Sequence, residues 1–186
     1  VRAFDRVAFV AQNSTDHFEA MFACWKLGAL FVPLNWRLSP YETVEVLGLA
    51  EPRVLLCDED LLDHFAGDRT PRVLRRPGDP GCDSDMPNML LYTSGTTGRP
   101  KGVIYTHRMT HNIVVHAALH ARVRAHARTL PYLPLFHSAG LYAVSTPQFH
   151  YGGAVVVMRQ WDTQACFRHL MDPALGITHV VGVPTN

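Results

Sequence analysis

The segment YTSGTTGRPKGV, residues 92–103, surrounds one of the two lysines of the chain with small hydrogen-bond donors. Glycines let several backbone N–H groups turn into one concavity, hydroxyl groups donate without crowding an anion, and an ammonium adds a compact charge. Each charge-assisted hydrogen bond in such a cradle contributes roughly 1.5–3 kcal/mol. These parts suit a polyphosphate, particularly with a divalent ion present, although composition alone favours a flexible surface hairpin. The candidate phosphate-binding residues are Thr93, Ser94, Gly95, Thr96, Thr97, Gly98 and Lys101.

Two common glycine-rich motifs do not fit this segment. The pattern G-x-x-x-x-G-K-[ST] fails because Pro100 stands in place of its second glycine and Gly102 in place of its hydroxyl residue. The pattern G-x-G-x-x-G fails because no glycine lies two residues from Gly95 or Gly98.

Histidine pairs at i,i+4 spacing are a second candidate site, since such pairs share one helical face and can bind a metal. The pairs are His107 with His111 and His116 with His120. An acidic third ligand or general base does not accompany them, so we expect histidines on a partly exposed helix.

The elements that must position these residues alternate between strand and helix. Ser14 or Thr15 and the sequence Ser39-Pro40-Tyr41-Glu42 supply helix starts, and Gly28 supplies a helix stop. This alternation predicts an α/β fold with a parallel sheet covered on both faces. Strands are expected at 6–12, 29–35, 53–58, 89–93, 102–107, 153–158 and 177–183, and helices at 15–27, from 39 onward, near 59–66, at 109–127 and at 162–171.

Two segments are expected to lack regular structure. Residues 77–88, PGDPGCDSDMPN, predict a linker or surface loop and a possible junction between subdomains. Residues 129–136, TLPYLPLF, are expected to be extended, at a sheet edge or under a loop, because of their prolines.

Composition excludes several classes of protein. The chain has 186 residues, 47% of them apolar and 18% charged, which indicates a globular protein of about one domain. A net charge of +1 gives no reason to expect nucleic acid or an anionic membrane as partner. Four widely spaced cysteines predict reduced thiols in a cytoplasmic protein: Cys24, Cys57, Cys82 and Cys166. The most apolar window, residues 20–34, is interrupted at Lys26, Gly28 and Pro33, so we expect no transmembrane segment.

The string LLYTSGTTGRPKGV, residues 90–103, resembles the phosphate-binding signature of the adenylate-forming superfamily, which includes acyl-CoA synthetases, luciferases and nonribosomal peptide adenylation domains. Three further stretches are similar to the same family: WKLGALFVPLNWRLSPYE (25–42), LPLFHSAGL (133–141) and ITHVVGVPT (177–185). The NWRLSP and PLFH strings are most similar to acyl-CoA synthetases of the fatty-acid type. The resemblance implies the layered α/β architecture of the family's N-terminal domain over residues 1–186, incomplete at about half of that domain.

The resemblance also implies a two-step reaction. ATP and a carboxylate give an acyl-adenylate and pyrophosphate, and a thiol, usually coenzyme A, then takes the acyl group. Thr93, the loop to Gly98 and the catalytic Lys101 would hold the β- and γ-phosphates, with Thr93 the hydroxyl expected to contact Mg²⁺. His137 resembles the family's catalytic histidine, which orients or polarises the carboxylate. The acyl channel is expected beside Phe136, His137, Ser138, Ala139, Gly140 and Leu141.

Three parts of the family pattern do not occur in this sequence. They are an aromatic-Gly-x-Thr-Glu motif whose glutamate binds Mg²⁺, an aspartate for the ribose hydroxyls, and a C-terminal domain with a catalytic lysine. We therefore expect the 186 residues alone to be inactive. The parent protein is expected to be an ATP-dependent carboxylate–CoA ligase, with a homodimer as one expected state. The alternatives are an adenylation domain that loads a carrier protein, a truncated nucleotide-binding module and a structural remnant that binds nothing.

Overall fold

The computed structural model describes residues 1–64, 83–93 and 99–182. The chain forms two compact units. Unit 1 comprises Val1–Ala11 and Asp16–Arg108, and unit 2 comprises Gln12–Thr15 and Met109–Asn186. The short loop 12–15 therefore groups with residues that lie about a hundred positions later in the chain.

Unit 1 is built on a five-stranded sheet with the order β3-β1-β2-β4-β5. Strands β1 to β4 run parallel, and β5 pairs antiparallel with β4. The predicted α/β class with a mainly parallel sheet is confirmed. The strands are β1 (Arg6–Val10), β2 (Leu30–Pro33), β3 (Val54–Cys57), β4 (Pro87–Thr93) and β5 (Lys101–Thr106).

The central strands β1 and β2 are buried on both faces, as expected when helices cover a parallel sheet, whereas the edge strand β5 is largely exposed. On one face a cluster of buried aliphatic residues joins the strands to the helix at 40–50; it comprises Ala8, Val10, Val32, Leu34, Val46 and Ala50. On the other face the rings of Phe9 and Phe31 lie 5.7 Å apart, and the ring of His17 lies 5.2 Å from Phe31. Alternation along β1 and β2 therefore supplies apolar side chains to both faces.

The helices of unit 1 begin and end largely where the sequence predicts. Helix α1 (Thr15–Leu27) ends at Gly28, whose φ is +66°, with the Ala29 N–H donating to the Cys24 carbonyl at 2.9 Å. This is the glycine stop expected there. The expectation that Ser14 caps α1 is wrong, because its buried hydroxyl has no hydrogen-bond partner within the described part of the chain.

Helix α2 (Pro40–Ala50) has the predicted capping box. The Ser39 hydroxyl accepts from the Glu42 N–H at 3.3 Å, and the Glu42 carboxylate accepts from the Ser39 N–H at 2.9 Å. The Ser39 hydroxyl also donates to the Glu42 carboxylate at 2.7 Å, and this bond, followed by the one from the Ser39 N–H, holds the pKa of Glu42 below its usual value. A 3₁₀ helix, Glu59–His64, stands where a short helix was expected.

Among its described residues, unit 2 has two short strands, of two residues each, and helices around two small apolar clusters. Helix α3 (His107–Ala121) belongs to it from Met109 onward, and helix α5 (Thr163–Met171) begins at the cap Asp162, whose carboxylate accepts from the Ala165 N–H. The remaining elements are β6 (Arg128–Thr129), a π-helical segment at Ala139–Ser145, α4 (Thr146–His150) and β7 (Ala154–Val155), which pairs parallel with β6.

Helix α3 ends earlier than the predicted 109–127. Arg122 has φ +55°, and the Val123 N–H donates to the Ala118 carbonyl at 2.9 Å. Val123 and Ala118 also pack together in one apolar cluster. This is the same left-handed stop that Gly28 gives α1, formed here by an arginine that the sequence does not mark as a helix end.

Two predicted strands of unit 2 are largely wrong. The strand expected at 153–158 is reduced to Ala154–Val155, and the stretch 177–182 makes one bridge, Thr129 with His179, instead of a strand. Their partner β6 is only two residues long and is followed by Pro131, which cannot donate to a ladder. Residues 153–158 and 177–182 are mostly apolar, as a buried strand requires, but the strand beside them is too short to pair with their full length.

The first half of the expected linker, residues 77–82 with Cys82, lies outside the described residues. Strand β4 begins at Pro87, so the last two positions of the expected linker belong to the sheet. The subdomain junction expected there stays a prediction. No helix among the described residues is long and apolar enough to cross a membrane.

Candidate functional site

Strands β4 and β5 form an antiparallel pair whose last register partners are Thr93 and Lys101. Partners that lie directly opposite in antiparallel strands project to the same face, with Cβ atoms about 4.5–5.5 Å apart. Both residues are exposed, and the Thr93 hydroxyl donates to the Lys101 carbonyl at 3.4 Å. The pair therefore presents a hydroxyl and an ammonium side by side at one end of the sheet.

The chain between these partners contains the other candidate phosphate ligands. Ser94, Gly95, Thr96, Thr97 and Gly98 lie outside the described residues. The described part of the site thus consists of the end of β4 at Thr93 and the start of β5 at Lys101.

Gly102 has a packing role that the sequence pattern does not reveal. A Cβ atom there would lie 2.9 Å from Cδ1 of Leu90 and 3.3 Å from the ring of Tyr92. Gly102 is the register partner of Tyr92, so the missing side chain leaves room for that ring directly beside Lys101. Burial raises the pKa of the Tyr92 hydroxyl, and the charge of Arg6 opposes this shift. Tyr92 and Leu90 both pack against the aliphatic cluster of unit 1, which anchors the base of the loop.

His107 follows β5 at the start of α3 and lies in unit 1. Its backbone N–H donates to the Met86 carbonyl at 3.1 Å, and its ring packs 5.8 Å from that of Trp25. Nε2 is buried and has no hydrogen-bond partner in the described ranges, and burial lowers the pKa of this histidine. A neutral, packed imidazole fits the expectation of a structural residue.

His137 lies in unit 2, directly before the π-helical segment. Its ring Nδ1 accepts a hydrogen bond from the Ala139 N–H at 3.1 Å. A backbone N–H can only donate, so in the neutral ring the proton is on Nε2. His137 is exposed, and its ring is therefore held with an N–H group available for an acceptor.

The backbone around His137 is fixed by its neighbours on both sides. The His137 N–H donates to the Pro134 carbonyl at 3.1 Å, and its own carbonyl accepts from the Leu141 N–H at 3.1 Å. Ser138 makes no side-chain cap for the helix, so the imidazole of His137 takes that place. π-helical turns, which are wider than those of an α-helix, occur frequently at functional sites.

The residues expected along the acyl channel differ in exposure. Phe136, Ser138 and Ala139 are half-buried, whereas Gly140 and Leu141 are buried. A Cβ atom on Gly140 would collide with the carbonyl oxygen of Pro134 and lie 2.8 Å from that of Leu133. The glycine is thus required by close approach of the main chain.

Asn13 also contacts this segment, and sequence reasoning missed it. Its carboxamide is buried and makes hydrogen bonds with the backbone of Leu133 and Leu135. These partners are 120 and 122 positions away, and no local pattern around Asn13 reports them.

The histidine pairs of α3 do not assemble a metal site. His111, His116 and His120 are exposed, and His107 is half-buried. Across residues 1–64, 83–93 and 99–182, no three histidine, cysteine or acidic side chains group as metal ligands.

Comparison with known proteins shows the family and the fold of this chain. The family model described as AMP-binding enzyme matches residues 1–186. A feruloyl-CoA synthase from Amycolatopsis sp. is 34% identical over 100% of this chain and 40% of its own length. An indoleacetate–CoA ligase from Aromatoleum aromaticum is 34% identical over 94% of this chain and 39% of its own.

Solved structures show the same fold. The o-succinylbenzoate coenzyme A synthetase from Bacillus subtilis, in complex with ATP and magnesium ion, matches with a TM-score of 0.83 and 28% identity, covering 97% of this chain and 50% of that one. The chain therefore spans two fifths to half the length of the relatives that it matches. With the whole of its length matched by the family model, this chain belongs to the AMP-binding enzyme family.

Proposed function

We propose that the protein to which this chain belongs is an ATP-dependent acyl-CoA ligase, in which these residues bind the ATP phosphates and orient the carboxylate. The observation that carries the proposal is the direct pairing of Thr93 with Lys101 at the ends of β4 and β5. An exposed hydroxyl and an exposed ammonium on one face, joined by a glycine- and threonine-rich loop, suit a polyphosphate in a family of AMP-binding enzymes.

In the first step a carboxylate oxygen attacks the α-phosphorus of ATP. The new bond joins that oxygen to phosphorus, and the bond from phosphorus to the pyrophosphate oxygen breaks. Negative charge therefore develops on the leaving pyrophosphate. The ammonium of Lys101 offsets this charge, which is the electrostatic assistance that dominates phosphoryl-transfer chemistry. We assign the loop residues Ser94 to Gly98 to the same proposed phosphate-binding site.

Thr93 is the proposed protein ligand of Mg²⁺. A hydroxyl oxygen is a donor that this hard cation accepts, and Thr93 is exposed at the strand end. The ion, when bound with the phosphates, would neutralise part of their charge. Thr93 would orient the nucleotide through it.

His137 is proposed to hold the carboxylate, and its hydrogen bonding argues for one role over another. Its Nδ1 accepts from the Ala139 N–H, so Nε2–H is a donor. A carboxylate is already ionised near neutral pH and has no proton to lose. His137 therefore acts as a hydrogen-bond donor that orients one carboxylate oxygen, and general-base catalysis is not needed in this step.

In the second step the thiol sulfur of coenzyme A attacks the carbonyl carbon of the acyl-adenylate. The carbon–oxygen bond to AMP breaks, AMP leaves with its oxygen, and the thiol proton passes to solvent. A cytoplasmic location is part of the proposal, because Cys24 and Cys166 are free thiols, as expected in a reducing compartment.

The substrate is proposed to be a hydrophobic carboxylate. The sequence strings NWRLSP and PLFH favour a fatty acid, whereas the two relatives described above are named for feruloyl-CoA and indoleacetate. A panel of fatty acids and aromatic acids, scored by carboxylate-dependent pyrophosphate exchange, separates these classes.

The substitution Lys101→Ala in the complete protein tests whether Lys101 binds the ATP phosphates. We expect carboxylate-dependent exchange of pyrophosphate into ATP to fall by on the order of 100-fold or more, as when a preorganised charge contact is removed. Lys26→Ala is the matched control, because Lys26 is the other lysine of the chain and lies exposed on α1. Unchanged exchange in the Lys101 variant would refute the assignment. Adenylate formation without consumption of coenzyme A would instead indicate a carrier-protein acceptor.

A further inference from the structure

Asn13 is placed to control the geometry of His137 from a distant part of the sequence. Its side chain is only 6% exposed. The amide Nδ2 donates to the Leu133 carbonyl at 3.1 Å, and the amide Oδ1 accepts from the Leu135 N–H at 2.9 Å. Both ends of the carboxamide are therefore satisfied by the main chain, and all three residues belong to unit 2.

This pattern of bonds is the one that a neighbouring strand would make. In an extended chain the carbonyl of one residue and the N–H of the second residue after it point to the same side, and one residue of a parallel strand bonds to both. The carboxamide of Asn13 takes the place of such a residue. It gives residues 133–135 the pairing of a sheet although no strand lies there.

The segment needs this substitute because of its prolines. Pro131 and Pro134 have no backbone N–H, so residues 130–136 cannot enter a regular ladder. The two bonds of Asn13 go to the carbonyl of Leu133 and the N–H of Leu135, which flank Pro134 and do not require a donor from it. An unpaired backbone group at this buried position would be strongly unfavourable.

The same segment leads directly into the histidine. Pro134 accepts the hydrogen bond from the His137 N–H, and Gly140 approaches the carbonyls of Leu133 and Pro134. A shift of residues 133–135 would therefore move the backbone of His137 and the start of the π-helical segment. The position of the Nε2–H donor depends on where this segment is held.

We infer that Asn13 is a positioning residue for His137: its carboxamide fixes residues 133–135 and so aims the imidazole at the carboxylate. This inference rests on the proposed function, since it assigns Asn13 to the carboxylate side of that reaction. Asn13 would influence the reaction through His137 and would itself contact neither ATP nor the carboxylate.

The experiment is a double-mutant cycle in the complete protein, measured by carboxylate-dependent pyrophosphate exchange. Asn13→Ala in the wild-type background is expected to lower kcat/KM for the carboxylate by on the order of 10- to 100-fold, the effect of a small misplacement of a catalytic group. The KM for Mg-ATP is expected to change by less than about twofold, since only the carboxylate side is disturbed. In a His137→Ala background the same change is expected to lower kcat/KM by less than about threefold, because residues that act through one another are not additive.

Ser14→Ala is the matched control. It alters the next residue of the same loop, and its hydroxyl makes no hydrogen bond in the described part of the chain. We expect it to leave kcat/KM for the carboxylate unchanged relative to the parent protein in each background. Asn13→Asp serves if the alanine variant does not fold, because it keeps the size of the side chain and the acceptor for the Leu135 N–H, and replaces the donor to the Leu133 carbonyl by a carboxylate oxygen.

The outcomes separate the inference from the proposed function. If wild-type protein exchanges pyrophosphate but an Asn13 variant has the same fold-effect with and without His137, Asn13 is merely structural and the inference is overturned. If the KM for Mg-ATP rises as much as that for the carboxylate, the inference is overturned as well. If wild-type protein shows no exchange with any acid of the panel, the proposed function fails first and the inference fails with it.

Discussion

The two units satisfy their extended backbone in different ways. In unit 1, β1 pairs with β2 and with β3 over four residues each, and β4 pairs with β5 over six register positions. In unit 2, the ladder of β6 and β7 has two pairs, and side chains take over where it ends. The Thr178 hydroxyl accepts from the Arg128 N–H at 2.9 Å, and the Thr129 hydroxyl donates to the His179 carbonyl at 3.1 Å.

This difference predicts which substitutions destabilise each unit. Strand pairs use main-chain groups that every residue except proline has, so unit 1 depends mainly on apolar burial. Unit 2 depends on particular polar side chains whose deletion leaves backbone groups unpaired. The candidate phosphate hairpin thus lies on a regular sheet, and the candidate carboxylate-binding histidine lies on a segment fixed by side chains.

The largest expected effect is in the core of unit 1. Phe31 is 0% exposed on the central strand β2, so Phe31→Ala is expected to destabilise the fold by about 3–5 kcal/mol. Hydrogen exchange followed by mass spectrometry reads the units separately, and peptides from β1 and β2 should show the largest increase in exchange rate over wild type. Equal acceleration in the peptides of both units would contradict the view that each has its own core.

The second prediction compares a glycine from each unit. Gly140→Ala in unit 2 is expected to destabilise by about 1–3 kcal/mol, because the new methyl group meets the carbonyls of Leu133 and Pro134. Gly48→Ala in α2 meets nothing within 4 Å and is expected to stabilise by about 0.5–1 kcal/mol. Urea unfolding measures both changes. A harmless Gly140 substitution would show that the main chain can move away and that the glycine is not required by packing.

The third prediction concerns the side-chain pairing of unit 2. Thr178→Val keeps the shape of the side chain but removes the hydroxyl that bonds to the backbone of Arg128. We expect a loss of about 1 kcal/mol in the free energy of unfolding, the usual net value for one such contact. Thr178→Ser retains the hydroxyl and is the control. If valine and serine give equal stability, the bond contributes nothing and the contrast between the units weakens.

The smallest expected effect is a pH dependence that arises in unit 1. Burial lowers the pKa of His107 in the folded protein, so the unfolded chain binds this proton more readily. The stabilising contribution of neutral His107 is therefore present above the unfolded pKa of about 6.5 and is lost as the pH falls below it. Melting temperatures between pH 7.5 and pH 5 should fall more in wild type than in His107→Asn. Parallel curves for the two proteins would exclude His107 as the source.

Local patterns account for the part of the fold that sequence predicts well. The capping box of α2 joins residues three positions apart, and the stop at Gly28 needs only one residue with positive φ. The apolar runs of β1 and β2 are buried on both sides and need no particular partner. The sequence also predicts the strand-like runs 89–93 and 102–107 on either side of the loop, but not the antiparallel pairing of Thr93 with Lys101.

Non-local partners account for what sequence does not predict. Val155 and Val156 read as a long buried strand, but the length of that strand is set by β6, whose ladder ends before Pro131. Arg122 adopts a left-handed conformation that its residue type does not indicate. The tautomer of His137 depends on the N–H of Ala139, which only coordinates reveal.

The contact of Asn13 with Leu133 also has a consequence for the order of events during synthesis. Asn13 leaves the ribosome 120 residues before its partner. At about 5–20 residues per second, its carboxamide waits roughly 6–24 s for the backbone that it will pair with. The strands β1 to β3 are complete in that interval, so we expect the nascent sheet to form while the loop at 12–15 is still unpaired. Slow translation between residues 64 and 133 would lengthen that exposure, which makes this stretch the place where synonymous codons and chaperone access bear on the yield of native protein.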